Sequence, residues 1–351
     1  YILQRHLPCA AHEAPLHVGQ EVDATAPPAT ALADDEKLFG PGFVDAMIGL
    51  ENEGTLRYTG EQWVYTQSDY PAQGVSLRDA EGDRFAVLDA SNNFRMIEEL
   101  SASTAPQRVH PGAIYLHQGE SYQVTEYNAD LRHAIVRPVT ADYYTQPREI
   151  NDVRIVRSLR HQALPSTTAY LGRVRVRSQV VGFRRLQQFS EANLGEEPLE
   201  MPVSEYETVA VWWDLPDDLP ALLAARGLDP LGGIHAVEHA AIGILPLFAM
   251  CDRQDIAGLS TPLHPDTGRA QVFIYDGLPD GIGIAEKGYE LLRELWSATL
   301  TAIQECPCQE GCPSCIQSPK CGNNNQPLDK QAAILILQTL LAQGKGNTGQ
   351  S

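Results

Sequence analysis

The sequence predicts an α+β multidomain chain. A partial winged helix is expected over residues 1–75, a β-rich barrel-like domain over 76–215, and a mainly helical, cysteine-clustered C-terminal domain over 216–351. Three observations carry this reading. Val44, Met47, Ile48 and Leu50 have helical spacing and lead into two short apolar segments around Thr59-Gly60. Alternating apolar runs separated by turn residues recur through 76–213. Past Leu215, longer amphipathic stretches end in a cluster that holds five of the chain's seven cysteines. With 351 residues, 43% of them hydrophobic, the chain can bury two or three cores.

At the N-terminus, residues around Cys9-Ala-Ala-His-Glu13 fit a helix, and the Pro/Ala/Asp-rich patch ending in Asp34-Asp-Glu36 fits a surface loop. The chain begins on Tyr1 rather than Met and reads as the C-terminal part of something longer. Gly54 stops the helix that starts near Pro41, and the segments 56–58 and 63–65 flank Thr59-Gly60 as a hairpin. A helix followed by a two-stranded wing ends a winged helix, a module that contacts either DNA or protein.

The β-rich part is read from runs at 85–88, 113–116, 122–125, 133–137, 153–156 and 209–212, with turns at Gly82-Asp83, 117–120 and 128–130. A small barrel or strongly bent sheet accommodates them. The formal net charge of -19 argues against a protein that coats nucleic acid over its whole surface, but the charge is unevenly spread. Residues 1–100 carry 17 acidic and 6 basic side chains, whereas 148–185 hold nine arginines against Glu149 and Asp152. Arg173, Arg175 and Arg177 alternate with Val174 and Val176, so on a strand the three guanidinium groups share one face at about 7 Å spacing, suited to successive phosphates. Arg184 and Arg185 extend the basic stretch. The competing reading pairs these arginines with carboxylates on a neighbouring strand.

The C-terminal part is expected to open with a short helix at 219–228 and a second that starts at Gly232-Gly233 and runs to about 249. The second carries His235, Glu238 and His239 on one face. His-x-x-Glu-His is also the inverted zinc-peptidase motif, a five-residue match that chance supplies easily. A satisfied polar cluster against Cys251, Asp252 and Asp255 is the expectation. A strand at 271–275 leads into Asp276-Gly-Leu-Pro-Asp-Gly-Ile-Gly283, whose glycines are not followed by Gly-Lys-Ser/Thr, so no nucleotide site is expected. The next helix begins near Ala285 and buries Leu292, Leu295, Trp296, Thr299 and Ile303. A last helix occupies 328–341, and 344–351 is expected to fray. No run of eighteen apolar residues occurs, and no membrane partner is expected.

The cysteines are the strongest local signal. Cys312 and Cys315 form a C-x-x-C knuckle whose backbone N–H groups point at thiolates. Cys308 and Cys321 close a tetrahedron, with Cys306 as the substitute ligand. A structural Zn²⁺ is expected, since four thiolates leave no open coordination position. An iron–sulfur cluster uses the same donors and is the lesser alternative. Disulfides fit poorly with a long chain lacking a signal peptide, in which Cys9 and Cys251 lie far from the cluster.

His235-Ala-Val-Glu-His239, Cys251-Asp252-Arg-Gln-Asp255, Tyr275-Asp-Gly-Leu-Pro279-Asp-Gly-Ile-Gly283 and the Cys306 to Asn323 run together resemble the zinc-binding C-terminal domain of MrfA-type superfamily 2 DNA helicases. Asp280 stands where a second glycine is expected. The resemblance implies an ATP-dependent helicase working 3′→5′ on single-stranded DNA in DNA repair, in the cytoplasm. It also implies that this chain partners the motor domains of the same parent and has no activity alone. Asp34-Asp-Glu-Lys37 lies in a polar loop and is no helicase box. Tyr143, Tyr144, Tyr170 and Phe183 are candidates for stacking on bases. Two other classes stay open. One is a protein-interaction scaffold, favoured by the acidic charge. The other is a metallohydrolase at His235, Glu238 and His239.

Overall fold

The computed structural model describes residues 2–17, 35–40, 42–75 and 84–342. Two compact units divide the chain, Tyr1–Gly82 and Asp83–Ser351.

In the first unit, α1 (Ile2–Glu13), α2 (Asp35–Phe39) and α3 (Phe43–Asn52) precede the hairpin β1 (Leu56–Tyr58) and β2 (Trp63–Tyr65). Leu7, Ala11, Phe43, Met47, Leu50 and Leu56 make the core. The buried face of α3 repeats from Phe43, with Ala46, Met47 and Leu50 at i+3, i+4 and i+7, so Ile48 falls outside it and is 48% exposed. In the wing Tyr58 is paired with Trp63, their ring centroids 4.5 Å apart, and Leu16 adds two backbone hydrogen bonds to Trp63. Asp35 and Glu36, expected in a loop, instead start α2. The Asp35 carboxylate is buried and accepts the His17 N–H at 2.7 Å. Most of the patch before it lies outside the described residues.

The second unit begins with β3 (Arg84–Asp89), β4 (Arg95–Ser101), α4 (Ala105–Arg108), β5 (Ile114–His117), β6 (Glu120–Asn128) and β7 (His133–Pro138). The five strands form one sheet in the order β4-β3-β7-β6-β5, antiparallel except for the β3–β7 pair. Strict alternation in β3 sends Phe85 and Val87 into a core with Leu100, Val109, Tyr115, Val124 and Val136. The turn expected at Gly82-Asp83 lies outside the described residues.

Glu98 ties this sheet together. It accepts hydrogen bonds from the Tyr115 hydroxyl and from His117 Nδ1 at 2.8 Å, and pairs with Arg108 at 3.5 Å. Burial alone would raise its pKa, but the Tyr115, His117 and Arg108 contacts outweigh that and leave it below the ordinary glutamate value. A carboxylate with a depressed folded-state pKa stabilises the fold above its unfolded pKa and stops doing so as pH falls through the folded value. Glu98→Gln is therefore expected to cost about 1–2 kcal/mol at neutral pH, with the two proteins converging in acid. Urea unfolding at a series of pH values checks this, and a pH-independent difference would refute it.

Two long strands follow, β8 (Tyr143–Ala163) and β9 (Thr168–Gln187), then β10 (Asn193–Pro198) and β11 (Ser204–Asp214). The remaining elements are α5 (Leu219–Ala224), α6 (Pro230–Ile244), α7 (Pro246–Ala249), β12 (Ile256–Thr261), β13 (Gln271–Asp276), α8 (Ile284–Glu290), α9 (Leu292–Glu305) and α10 (Lys330–Leu341). The second sheet runs β10-β9-β11-β13-β12 with β8 on β9, so it is open and carries strands from both sides of residue 215. On one face its residues Val211, Trp213, Val272 and Ile274 meet the helices, with Trp213 edge-on to Trp296 at 5.5 Å. Leu292, Leu295, Trp296, Thr299 and Ile303 are all buried.

Gly232 and Gly233 lie inside α6 rather than opening it. A Cβ on Gly233 would stand 2.6 Å from the Ala332 Cβ, so the absence of a side chain lets α10 approach. By length and composition Pro230–Ala249 is the one helical stretch among the described residues able to cross a membrane. More than half of it is buried against the sheet and α10.

Candidate metal centre and nucleic-acid interface

Helix α9 ends at Glu305, and Cys306 leaves it in extended conformation, which points the chain into the knuckle. Cys306, Cys308, Cys312 and Cys315 place their sulfurs within 4.8 Å of one another. Individual S···S separations are 3.6 Å (306–308), 3.5 Å (306–312), 3.5 Å (308–315) and 3.8 Å (312–315). A tetrahedral ion with metal–sulfur bonds of about 2.3 Å has edges of about 3.8 Å, so the four thiols fit one zinc. An iron–sulfur cluster spreads its thiolates over several irons and would hold them farther apart. The Cys312 N–H points at Cys315 Sγ at 3.3 Å, the knuckle contact anticipated from C-x-x-C.

Lys330, in the first turn of α10, completes the surroundings. Its ammonium donates to the Cys306 and Cys308 carbonyls, each at 2.7 Å, and lies 3.5 Å from Cys308 Sγ. Burial works against ionising Cys308, but hydrogen bonds from the three other cysteines and Lys330 prevail and bring its pKa down to about 7. Four thiolates around a divalent ion carry net negative charge, and Lys330 offsets part of it. Nothing in its sequence neighbourhood marks this lysine, and only the tertiary structure brings it to the cluster.

Cys306 is thus a full member of the tetrad, and Cys321 is not in it. The chain turns away after Cys315 because Ile316 is buried in the helical core, the Ser318 N–H is held by Asn325 Oδ1 at 2.7 Å, and the Lys320 ammonium is anchored on Arg253 O and Ile256 O. Cys321 arrives instead beside His235 and His239. That pair faces Pro327, Ile316 and Cys321, while Asp252 and Asp255 satisfy each other in a capping box. The polar cluster expected against Cys251, Asp252 and Asp255 is therefore built from other partners.

The arginines of β9 all have carboxylate partners. Arg173 meets Asp280 at 2.8 Å, Arg175 meets Glu207 at 2.7 Å, Arg177 meets Glu205 at 2.9 Å, Arg184 meets Glu196 at 2.7 Å, and Arg185 meets Glu197. The register explains this, since Glu205 and Glu207 on β11 stand opposite Arg177 and Arg175. The cross-strand alternative to phosphate contact is the one observed. On β8, exposed Arg157 has no ion pair among the described residues, and Arg160 lies over the Tyr289 ring at 4.9 Å. Of the aromatics, Phe183 is buried beside His110, Tyr170 is stacked on Trp212 at 5.4 Å, Arg185 lies over Tyr143, and Tyr144 is exposed.

The loop after β13 caps α8, not a phosphate. Asp276 accepts N–H groups from Ile282, Gly283 and Ala285. Asp280 adopts φ 64, the left-handed conformation for which glycine is the usual residue, and its carboxylate holds Arg173.

A winged helix in one unit and a four-thiolate knuckle in the other define a metal-binding, winged-helix protein. Residues 1–80 match the family model "ATP-dependent helicase HRQ1, winged helix domain", and residues 237–316 match "MrfA Zn-binding domain". The second span includes the four clustered cysteines and stops before Cys321. The Bacillus subtilis protein named "Uncharacterized ATP-dependent helicase YprA" is 31% identical over 321 residues, covering 90% of this chain and 40% of the relative. ATP-dependent helicase HRQ1 of Saccharomyces cerevisiae is 32% identical over 288 residues, covering 78% of this chain and 26% of the relative. The crystal structure of the DUF1998 helicase MrfA bound to DNA aligns with a TM-score of 0.56 at 28% identity, covering 96% of this chain and 42% of that one. The chain is homologous to the YprA and HRQ1 helicases through these two domains, and it spans less than half the length of these relatives.

Proposed function

We propose that this chain is the DNA-binding and structural accessory region of an ATP-dependent superfamily 2 helicase that moves 3′→5′ on single-stranded DNA during repair. The observation that carries the reading is the coincidence of a winged helix and an MrfA-type four-cysteine knuckle in one chain. Zinc in the tetrad would be structural, fixing the end of α9 against the start of α10 through Lys330, because four thiolates leave no place for a reactant. No Gly-Lys-Ser/Thr phosphate loop occurs in the sequence, so ATP turnover would belong to motor domains of the same parent. A cytoplasmic location accords with reduced thiols.

Arg157 and Arg160 on β8 are better placed for phosphates than the paired arginines of β9. The purified chain should bind an oligothymidine with an affinity that falls steeply with salt. Arg157→Ala should weaken binding and reduce the log–log salt slope by about 0.7. Arg175→Ala should change it less, because Glu207 already neutralises that side chain. Fluorescence anisotropy across a salt series reads both. An absence of binding at moderate salt, with capture of a basic protein instead, would replace this reading with the scaffold one that the net charge of -19 favours.

A further inference from the structure

A second set of ligand-type side chains lies apart from the tetrad. His235 and His239, one turn apart on α6, and Cys321 offer one donor atom each within 4.8 Å of one another. His235 Nδ1 is 2.9 Å from Pro327 O, and His239 Nδ1 is 3.0 Å from Ile316 O. A carbonyl can only accept, so both Nδ1 atoms carry a proton, and the neutral form of each ring then presents its lone pair at Nε2. Imidazoles that bind metal are commonly held in this way, with the remote nitrogen donating to a backbone carbonyl.

The third donor fits the same pattern. Cys321 Sγ is 3.5 Å from His235 Nε2 and accepts the Asn325 N–H at 3.3 Å. Metal–nitrogen bonds of about 2.0–2.1 Å and a metal–sulfur bond of about 2.3 Å give a tetrahedral N···S edge of about 3.5 Å. His239 and Cys321 are buried, which removes competing water from two of the three donors. The His-x-x-Glu-His spacing supplies two ligands and leaves the third unidentified in sequence; here the fold supplies it from 82 residues beyond His239.

The three side chains line a cleft of about 470 Å³ together with Glu238, Ser260 and Lys320. A donor set of two imidazoles and one thiolate is borderline-soft. It suits zinc and disfavours magnesium and calcium, which take oxygen ligands. We infer that His235, His239 and Cys321 form a second zinc site, three-coordinate from the protein, whose fourth position opens into this cleft and takes a water molecule. Closed tetrads hold structure, whereas a three-residue site with one open position can polarise what binds there. The two sites share a backbone element, because Ile316, which orients His239, follows the tetrad ligand Cys315 directly.

The test is a metal count on the whole chain. Protein stripped with a chelator, titrated with Zn²⁺ and passed through a desalting column should retain two equivalents by elemental analysis. Cys321→Ser and His235→Asn should each retain one, and Cys312→Ser should lose the other. Cobalt in the wild-type chain distinguishes the sites without any substitution. The tetrad gives intense thiolate charge-transfer absorption, and a second equivalent adds the weaker absorption of one thiolate. A single equivalent in the wild-type chain, or two equivalents kept by both Cys321→Ser and His235→Asn, would overturn the proposal. If either variant does not fold, the wild-type count and cobalt titration decide it.

Discussion

Cys312→Ser is expected to strip the tetrad of its metal and to destabilise the second unit more than any single core substitution. In zinc peptides the binding free energy at neutral pH is about 10–16 kcal/mol and is spent largely on folding. Within a larger domain only part of that supports the fold, so a loss of several kcal/mol is the reasonable scale. The segment it would release is specific. Without the ion, like-charged or protonated thiols 3.5 to 3.8 Å apart have nothing to hold them, and Lys330 loses the anionic cluster it faces. Because protons compete with zinc for thiolates, lowering the pH should release the metal and mimic the variant. Elemental analysis with thermal unfolding at several pH values reads both effects. Loss of metal with an unchanged melting temperature would remove the structural role. Cys321→Ser should leave the tetrad's zinc in place.

Trp296→Ala should cost about 3–5 kcal/mol, the usual range for emptying a buried aromatic site. Trp296 is fully buried, and it sits edge-on to Trp213 where α9 crosses the open sheet. Both indole N–H groups lack an acceptor among the described residues. Trp296→Phe should therefore cost much less, since it gives up an unpartnered donor along with part of the ring. Urea unfolding midpoints compare the two, and equal losses would mean that the indole nitrogen contributes more than the structure shows.

The wing, the buried stripe of α9 and the knuckle were legible because each depends on near neighbours in sequence. Period, turn residues and C-x-x-C spacing encode them locally. What escaped depends on tertiary placement. Spacing favours Cys321 as the fourth ligand with Cys306 as its substitute, and the structure reverses that order through burial of Ile316 and the anchoring of Lys320. The pairing of the β9 arginines is readable in sequence only as an alternative, because the register that sets Glu205 and Glu207 opposite them is a tertiary feature. Strand β8 escaped as one element because its alternation is broken by register shifts at Arg148/Glu149, Ile155/Arg157 and Ser158/Arg160. The sheet shared across residue 215 joins strands far apart in sequence, and no local pattern announces such pairing.

Strand β9 has a mechanical consequence. Twenty residues at about 3.3 Å each give it a contour length of about 65 Å. One end of it is braced by β11 and the helical core; near the other, Phe183 packs on His110, which lies between α4 and β5 of the five-stranded sheet. A displacement of either sheet is expected to pass along that strand to the other, since the strand itself reaches both. The register slips at Arg148/Glu149, beside Gly182, where a Cβ would meet the Glu197 carbonyl at 2.6 Å, so β8, β9 and β10 pack there without room for a side chain.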